Sequence, residues 1–252
     1  MDLELDDKIC LVTGASTGIG RATALALASE GALVVATARS VEPLSTLATT
    51  IREAGGRDPV VLVADLGQED GPRLLAEKVL SEVDHIDVLI NNAGGSRPLE
   101  RADDDFAWSE SFLLNFLAAR RLTEILVPRM LQRRWGRIIN LSGAIVAKAA
   151  NAAAPAKAAL ESWSRSSAAL YASRNVTVNC VAPGRINTPQ ILDRLHPTEA
   201  ARREFIDRNI PIGRFGEPHE AAALIVFLAS ERAGYITGVT IPVDGGALRF
   251  GL

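Results

Sequence analysis

The sequence contains little cysteine and no large excess of charge of one sign. Its 252 residues include two cysteines, Cys10 and Cys180, and both fall within apolar, strand-like runs. Cysteines in such runs are usually small, buried core residues, so neither a disulfide nor a metal site is expected. The formal net charge is −3 and basic residues form no run, which argues against nucleic acid as a partner.

Long charge-free apolar segments are also absent, although 48% of the residues are hydrophobic. A helix that spans a bilayer needs about 20 consecutive apolar residues, so no membrane partner is expected. Residues 1–7 are acidic and lack the pattern of a secretory signal. These features predict a cytoplasmic protein, and its length is compatible with a single domain over residues 1–252.

Three glycines lie where a predicted strand turns into a predicted helix. Residues 8–12 are mostly apolar and predict a buried strand, whereas residues 21–28 are rich in good helix formers. Gly14 allows a tight turn, Gly18 lets a ligand approach the backbone, and Gly20 lets the helix lie close to the sheet. Because the start of a helix attracts anions, the stretch predicts a dinucleotide pyrophosphate site.

Strand-like and helix-like segments alternate along the chain. This alternation predicts right-handed crossovers and a parallel sheet with helices on both faces. The strands are expected at 8–12, 32–37, 60–64, 86–90, 137–141, 176–181 and 239–243. The helices are expected at 21–28, 42–54, 69–83, 104–133, 152–173, 198–208 and 218–230.

The connection from Pro183 to Ile212 is long and polar, and one short helix is predicted within it. Long connections of this kind in compact domains are often active-site lids. We therefore expect a substrate lid at about residues 187–212. Of the three histidines, His196 is the one that falls on this lid.

Further motifs follow the predicted strands in order. Asn91-Asn92-Ala93-Gly94 comes directly after the fourth strand, and Pro183-Gly184 comes after the sixth. Together with the glycine spacing behind Thr13, these motifs resemble the short-chain dehydrogenase/reductase family, as do residues 213–218 and 235–246. The resemblance covers essentially the whole chain. It implies one doubly wound Rossmann domain with strand order 3-2-1-4-5-6-7 and an oxidoreductase that uses a nicotinamide cofactor. It also implies a homotetramer built through the two long helices that carry Asn115 and Lys157 and through the last strand.

The resemblance also implies which residues bind the cofactor. Asp65 matches the acid placed near the adenine, and Thr188 and the Ile186 backbone match the groups that hold the carboxamide and phosphates. The full set implied is Gly14, Ser16, Thr17, Gly18, Ile19, Gly20, Arg39, Ser40, Asp65, Leu66, Asn92, Ala93, Gly94, Lys157, Pro183, Gly184, Ile186 and Thr188.

The residue that ends the second strand indicates which nicotinamide cofactor is used. An acid at this place binds the ribose 2′-hydroxyl of NAD, whereas an arginine accommodates the 2′-phosphate of NADP. The acid is absent here, and Arg39 and Ser40 stand in its place. The sequence thus favours NADP(H) over NAD(H), unless Arg39 is only a solvated loop charge.

The catalytic residues depart from the pattern of the family, which uses Asn, Ser, Tyr and Lys. Asn115 and Lys157 match the Asn and the Lys, but Ala153 stands four residues before Lys157, where the family has its proton-donating Tyr. The Ser is ambiguous, because Ser142 lies one residue before the usual position, which Gly143 occupies. The predicted catalytic set is therefore Asn115, Ser142 and Lys157, without a tyrosine.

Several interpretations of the missing tyrosine stay open. Lys148, Asn151 or Arg185 could enter the pocket, although each is more easily explained as a solvated loop residue. The first hypothesis is an atypical NADP(H)-dependent reductase or dehydrogenase in which Lys157, directly or through a water held by Asn115, supplies the proton. The second is a nucleotide-binding protein without catalysis, a sensor or partner subunit. The third is an enzyme of another class that uses the bound nucleotide structurally. Four basic residues on segments around the expected pocket weakly favour an anionic substrate: Arg97, Lys148, Arg185 and Arg194.

Overall fold

A parallel sheet of seven strands forms the centre of the protein, a computed structural model that describes residues 1–101, 103–143 and 150–247. The strand order is β3-β2-β1-β4-β5-β6-β7, and every neighbouring pair is parallel. The predicted fold class and strand order are therefore confirmed. The strands are β1 (Ile9–Thr13), β2 (Leu33–Ala38), β3 (Val60–Val63), β4 (Val88–Asn91), β5 (Gly136–Leu141), β6 (Val176–Pro183) and β7 (Thr240–Val243).

Helices connect the strands as the alternation in the sequence predicts. They are α1 (Gly18–Ser29), α2 (Val41–Glu53), α3 (Gly71–Glu82), α4 (Asp105–Phe112), α5 (Ala118–Arg133), α6 (Ala153–Tyr171), α7 (Glu199–Asn209) and α8 (Pro218–Ala229). Local sequence explains several starts. The Asp104 carboxylate accepts a hydrogen bond from the Ala107 N–H at 3.0 Å, and Glu217 and Glu220 form a capping box before α8.

Each face of the sheet carries its own apolar core. Successive strand residues point to opposite faces, so Val12 and Leu11 of β1 belong to different cores. One core includes Leu27 of α1 and Ile225 of α8, and the other includes Leu122 of α5. Both cysteines are free and fully buried, as their apolar surroundings predict. The helical layers cover both faces and leave the carboxyl ends of the strands open for a site.

The long helical region predicted at 104–133 is helical but not uniform. Between α4 and α5 the residues Leu113–Leu117 form one π-helical turn, which contains Asn115. The Asn115 amide donates back to the Ser111 carbonyl at 3.1 Å and accepts from the Gly95 N–H at 2.9 Å. Such insertions are frequent at functional sites, and sequence periodicity alone does not reveal them.

The predicted lid segment contains two helical pieces, so the expectation of one short helix was wrong. A π-helical stretch, Gln190–Leu195, precedes α7. Ile191 in this stretch is buried against Ile210 and Phe215, a contact between residues that are distant in sequence. Whether the segment acts as a lid stays a prediction.

Among the residues that the structure describes, no helix is both long enough and apolar enough to cross a membrane.

Candidate active site

One large cavity, about 1110 Å³ in volume, opens at the carboxyl ends of the strands. Loops that follow successive strands form its wall, which is where open α/β sheets bind ligands. The predicted site residues in this wall are Gly14, Ser16, Thr17, Gly18, Ile19, Arg39, Asp65, Leu66, Asn92, Ala93, Gly94, Ser142, Lys157, Pro183, Gly184, Ile186 and Thr188. Gly20, Ser40 and Asn115 were also predicted but lie outside the wall. The structure thus brings together residues that are far apart in the sequence.

The turn from β1 into α1 requires its glycines. Gly14 and Gly18 have φ angles of 65° and 55°, in the left-handed region that other residues rarely adopt. A Cβ atom on Gly20 would lie 2.2 Å from the Gly14 carbonyl oxygen, so only glycine allows this approach. Gly20 therefore shapes the loop from behind the wall, whereas Gly14 and residues 16–19 line the cavity.

Asn92 joins the loop after β4 to the loop after β1. Its side-chain amide donates to the carbonyls of Thr13 and Gly14, at 2.9 and 3.1 Å. The Thr13 hydroxyl accepts from the N–H groups of Asn92 and Ala93, both at 3.0 Å, and donates to the Ile90 carbonyl. These bonds fix the two loops in one arrangement at the floor of the cavity.

Arg39 lies at one end of the cavity, at the end of β2. Its guanidinium is exposed and makes no hydrogen bond or ion pair with any described residue. Ser40 directly precedes α2 and is exposed, outside the wall. Asp65 is fixed after β3, because its carboxylate accepts from the Gly67 N–H at 2.9 Å. An arginine with free donors is thus available to an anionic group there.

The segment after β6 covers the glycine turn. A Cβ on Gly18 would lie 2.8 Å from the Thr188 methyl carbon, so Thr188 lies directly over that glycine. Ile186 is buried and pairs with Gly216 in an isolated parallel bridge. Gly184 approaches Asp244 closely, since its Cβ would be 2.8 Å from the Asp244 Cα. The base of the predicted lid is thereby held against the sheet.

Lys157 lies at the other end of the cavity, one turn into α6. Its ammonium group donates a hydrogen bond to the Leu141 carbonyl at the end of β5. Burial lowers the pKa of Lys157 to about 8, and nearby Cys180 and Glu161 only partly oppose this effect. Near neutral pH the amine can therefore both hold and release a proton.

Asn115 supports the loop beside Lys157 without reaching the cavity wall. It is buried, and both ends of its side-chain amide are bonded, to Ser111 and to the Gly95 N–H. A Cβ on Gly94 would lie 2.9 Å from both the Asn115 amide oxygen and the Lys157 Nζ. The structure thus places Asn115 close to Lys157, while its catalytic role stays a prediction.

Ser142 lies in the wall directly after β5. Its hydroxyl is 3.5 Å from the Val181 carbonyl, a long hydrogen bond that leaves the group available to a ligand. Gly143 is also in the wall, and a Cβ there would meet no atom of a described residue within 4 Å. Ser142 is therefore the hydroxyl that the described residues present at this end of β5.

Ala153 is the first residue of α6 and faces the cavity one turn before Lys157. The two tyrosines of the chain lie elsewhere. Tyr171 ends α6 and is buried in the core, and Tyr235 is fully exposed. Asn151 accepts a hydrogen bond from the Ala153 N–H at 2.9 Å and lines the cavity, whereas Lys148 lies outside the described residues. The described wall therefore contains no phenol.

Three features near the site were not predicted. Glu161 faces the cavity at position i+4 from Lys157 on α6, a spacing that sequence reasoning could have used. Cys180 adjoins Lys157, and burial raises the pKa of its thiol to about 11. The third is a contact between Arg185 and His196, at 3.1 Å, that only the tertiary structure reveals. Among the described residues, no cluster of His, Cys, Asp and Glu could hold a metal ion.

Comparison with known proteins gives consistent matches over nearly the whole chain. Residues 14–247 match a family described as enoyl-(acyl carrier protein) reductase. The chain is 39% identical over 250 residues to the 3-oxoacyl-[acyl-carrier-protein] reductase FabG of Pseudomonas aeruginosa, covering 97% of this chain and 98% of the relative. It is 38% identical over 252 residues to FabG of Thermotoga maritima, covering 97% and 99%.

Solved structures are similar over the same length. The L-sorbose reductase of Gluconobacter frateurii, complexed with NADPH and L-sorbose, has a TM-score of 0.92 and 33% identity, with 100% of both chains covered. A 3-oxoacyl (acyl-carrier-protein) reductase of Agrobacterium tumefaciens with NADP bound has a TM-score of 0.91 and 28% identity, covering 97% of this chain and 95% of the other. Both comparisons cover at least 97% of this chain.

Proposed function

This chain belongs to the short-chain dehydrogenase/reductase family, and we propose that it is an NADP(H)-dependent oxidoreductase acting on a carbonyl or alcohol. The observation that carries the proposal is the continuity of the cavity. One wall joins the glycine turn after β1 and Arg39 at one end to Ser142 and Lys157 at the other. A molecule with a phosphate-rich half and a reactive half matches this arrangement.

The residues present fit a dinucleotide. Gly14 and residues 16–19 line the cavity at the start of α1, where free N–H groups and the helix dipole favour a pyrophosphate. Arg39 would hold the 2′-phosphate, Asp65 and Leu66 the adenine, and Asn92, Ala93 and Gly94 the adenosine half. Ile186, Thr188 and Lys157 would hold the nicotinamide half. When bound, NADPH supplies the hydride for the reduction.

Lys157 is proposed as the proton source. Its ammonium group reaches the wall, and the Leu141 carbonyl orients it through a hydrogen bond. A pKa of about 8 matches a general acid that works near neutral pH. The Ser142 hydroxyl would donate a hydrogen bond to the developing alkoxide, as an electrostatic stabiliser. The small Ala153 side chain leaves the place above Lys157 open to water or to the substrate.

A second candidate function is nucleotide binding without catalysis, as a sensor or a partner subunit. The observation that favours it is the absence of a phenol in the described wall, together with the bond that occupies Lys157. Loss of a positioned general acid costs about 10²–10⁴-fold in rate, so the atypical enzyme would be slow but measurable.

A binding assay followed by a turnover assay separates the two functions. Purified protein is titrated with NADPH by fluorescence, and absorbance is then followed with a panel of ketones, aldehydes and oxo acids. The proposal expects tight NADPH binding and consumption of NADPH with at least one carbonyl. Binding of NADPH without its consumption by the native chain, and the same absence of consumption in a Lys157→Met variant, would support the second function.

A further inference from the structure

Arg185 is a half-buried basic residue of the cavity wall that has no carboxylate partner among the described residues. It follows Gly184 at the end of β6 and is half-buried. No carboxylate of a described residue lies within ion-pair distance of it. Burial lowers the pKa of this guanidinium below its ordinary value. A partly buried charge without an ion-pair partner is costly, so an anion bound in the cavity would stabilise it.

The predicted lid holds Arg185 in one orientation. Its Nε donates to the Nε2 atom of His196 at 3.1 Å, and its guanidinium carbon lies 4.9 Å from the centre of the Phe205 ring. Phe205 in turn lies against His196, with ring centres 4.6 Å apart. Burial, Arg185 and Arg202 together lower the pKa of His196, so the imidazole is neutral and its Nε2 accepts.

The terminal nitrogens of Arg185 remain available. They donate to no described residue, and the guanidinium lies in the cavity wall. A planar fork of this kind matches a carboxylate through two parallel hydrogen bonds. The contacts with His196 and Phe205 orient the fork in advance, which lowers the entropy that binding would cost.

The other charged groups at this end of the cavity have compensation nearby. Arg97 Nε lies 3.5 Å from a Glu110 carboxylate oxygen. Glu161 acts on Lys157 and raises its pKa, against the larger effect of burial. Arg194 is exposed to solvent and adjoins Asp193, which also lines the wall. Among the described residues, Arg185 is thus a guanidinium at the substrate end that its neighbours orient and that has no carboxylate partner.

We propose that Arg185, oriented by His196 and Phe205, binds the carboxylate of an anionic substrate, and that this chain acts on oxo acids and their hydroxy acid products. The inference rests on the proposed function and names its substrate class. Arg185 acts as a binding residue, and His196 is a positioning residue that works through it. The contact partners of Arg185, His196 and Phe205, lie on the predicted lid. Binding of the substrate carboxylate to Arg185 would therefore also favour the position of the lid in which these contacts are made.

Matched pairs of substrates test the proposal. NADPH consumption is measured with 2-oxohexanoate and 3-oxohexanoate, and with the methyl ester of each acid. The ester removes the charge and keeps the reacting carbonyl. The expected result is a lower KM for at least one acid than for its ester. In Arg185→Gln the KM of that acid should rise roughly 10- to 100-fold, which corresponds to the loss of a charge-assisted hydrogen bond. The KM of the ester should change little.

Two variants complete the comparison. His196→Phe keeps an aromatic ring beside Phe205 and removes the acceptor of the Arg185 bond, so it should raise KM for the acid several-fold and leave the ester unchanged. Arg203→Gln removes a positive charge from the same segment, on α7, but its side chain is exposed and pairs with Asp207 outside the cavity wall. This variant should change the KM of neither the acid nor the ester.

A binding measurement without turnover separates failure of this inference from failure of the proposed function. Calorimetry with NADP⁺ present should show that at least one of the two acids, titrated as its sodium salt, binds the native chain more tightly than it binds Arg185→Gln. If each acid binds the native chain and the variant equally, the inference is overturned. So does an equal rise in KM for acid and ester, which would make Arg185 merely structural. Absence of any carbonyl turnover, with this binding difference intact, refutes the reductase and keeps the carboxylate site.

Discussion

Two residues at opposite ends of the cavity, Arg39 and Lys157, have different surroundings. These surroundings determine how available each positive charge is. Arg39 is exposed and has no bonded partner among the described residues, so its charge is available. Lys157, on α6, donates to the carbonyl at the end of β5, and burial lowers the pKa of its amine to about 8. The sequence predicted both residues, but it could not predict the pKa, which depends on burial by distant segments.

Arg39→Ala should reduce affinity for NADPH far more than affinity for NADH. A charge-assisted contact with the 2′-phosphate contributes roughly 1.5–3 kcal/mol, equivalent to about 10- to 150-fold in Kd. Fluorescence titration of the variant with each cofactor measures the two losses, and Arg52→Ala, an exposed residue of α2 outside the cavity wall, is the control. Equal losses for NADPH and NADH would mean that Arg39 does not bind the phosphate.

The pH dependence of reduction should report Lys157. The protonated amine is the acid, so kcat/KM is expected to be constant below about pH 8 and to fall tenfold per unit above it. Oxidation of the alcohol needs the neutral amine, and its rate should rise through the same pH. Steady-state rates between pH 6 and pH 10 test this, with Lys157→Met as the comparison. A profile for reduction that stays flat to pH 10 would contradict a proton donor role.

Among the elements, the start of α6 decides whether the tyrosine can be restored. The helix begins at Ala153, and Pro155 lies in its first turn, where proline is tolerated. Position 153 therefore faces the cavity one turn before Lys157. This placement agrees with the helix start that the sequence predicts at about residue 152.

Ala153→Tyr is expected to create or increase ordinary carbonyl reduction. The phenol would lie beside the Lys157 ammonium, whose charge lowers the pKa of a tyrosine and prepares it for proton transfer. A gain of about 10²–10⁴-fold in kcat corresponds to the usual contribution of a general acid. Stopped-flow or steady-state absorbance measures it, and Ala153→Phe controls for filled space. If Ala153→Phe gives the same gain as Ala153→Tyr, the hydroxyl is not the cause.

Some elements could be predicted from the sequence and others could not. The turn from β1 to α1 could, because the glycines, the apolar strand and the helix formers are adjacent in the chain. The π-helical turn at Asn115 could not, because the apolar residues around it have ordinary helical spacing, and Asn115 bonds to the Gly95 backbone, which is distant in sequence. The helical stretch Gln190–Leu195 was missed for a similar reason, since the burial of Ile191 involves Ile210 and Phe215.

At the scale of the whole molecule, the alternation of strands and helices was sufficient for the fold. The parallel sheet follows from crossover geometry, and the strand order came from the resemblance to a family. The assembly stays a prediction. Large apolar side chains are exposed on α4 and α6, the helices expected at the interface: Phe106 is 78% exposed and Leu170 is 70% exposed. In an oligomer such side chains would be covered.

Sedimentation velocity should give a mass four times the 26.8 kDa of the chain. Leu170→Glu places a charge on α6 within the expected interface and should shift the population toward smaller species. Leu74→Glu, on α3 away from that interface and 41% exposed, is the matched control and should sediment like the native protein. If the native chain sediments as a monomer, the prediction of a tetramer is wrong.

The position of the two thiols has a consequence for redox chemistry. Cys10 and Cys180 are fully enclosed, and burial raises the pKa of both above their ordinary value. Oxidants and alkylating reagents attack the thiolate at an accessible sulfur, and the native protein presents neither. Peroxide or iodoacetamide therefore finds no target among these residues while the fold is intact. Labelling of either cysteine measures opening of the sheet core rather than reactivity at the site.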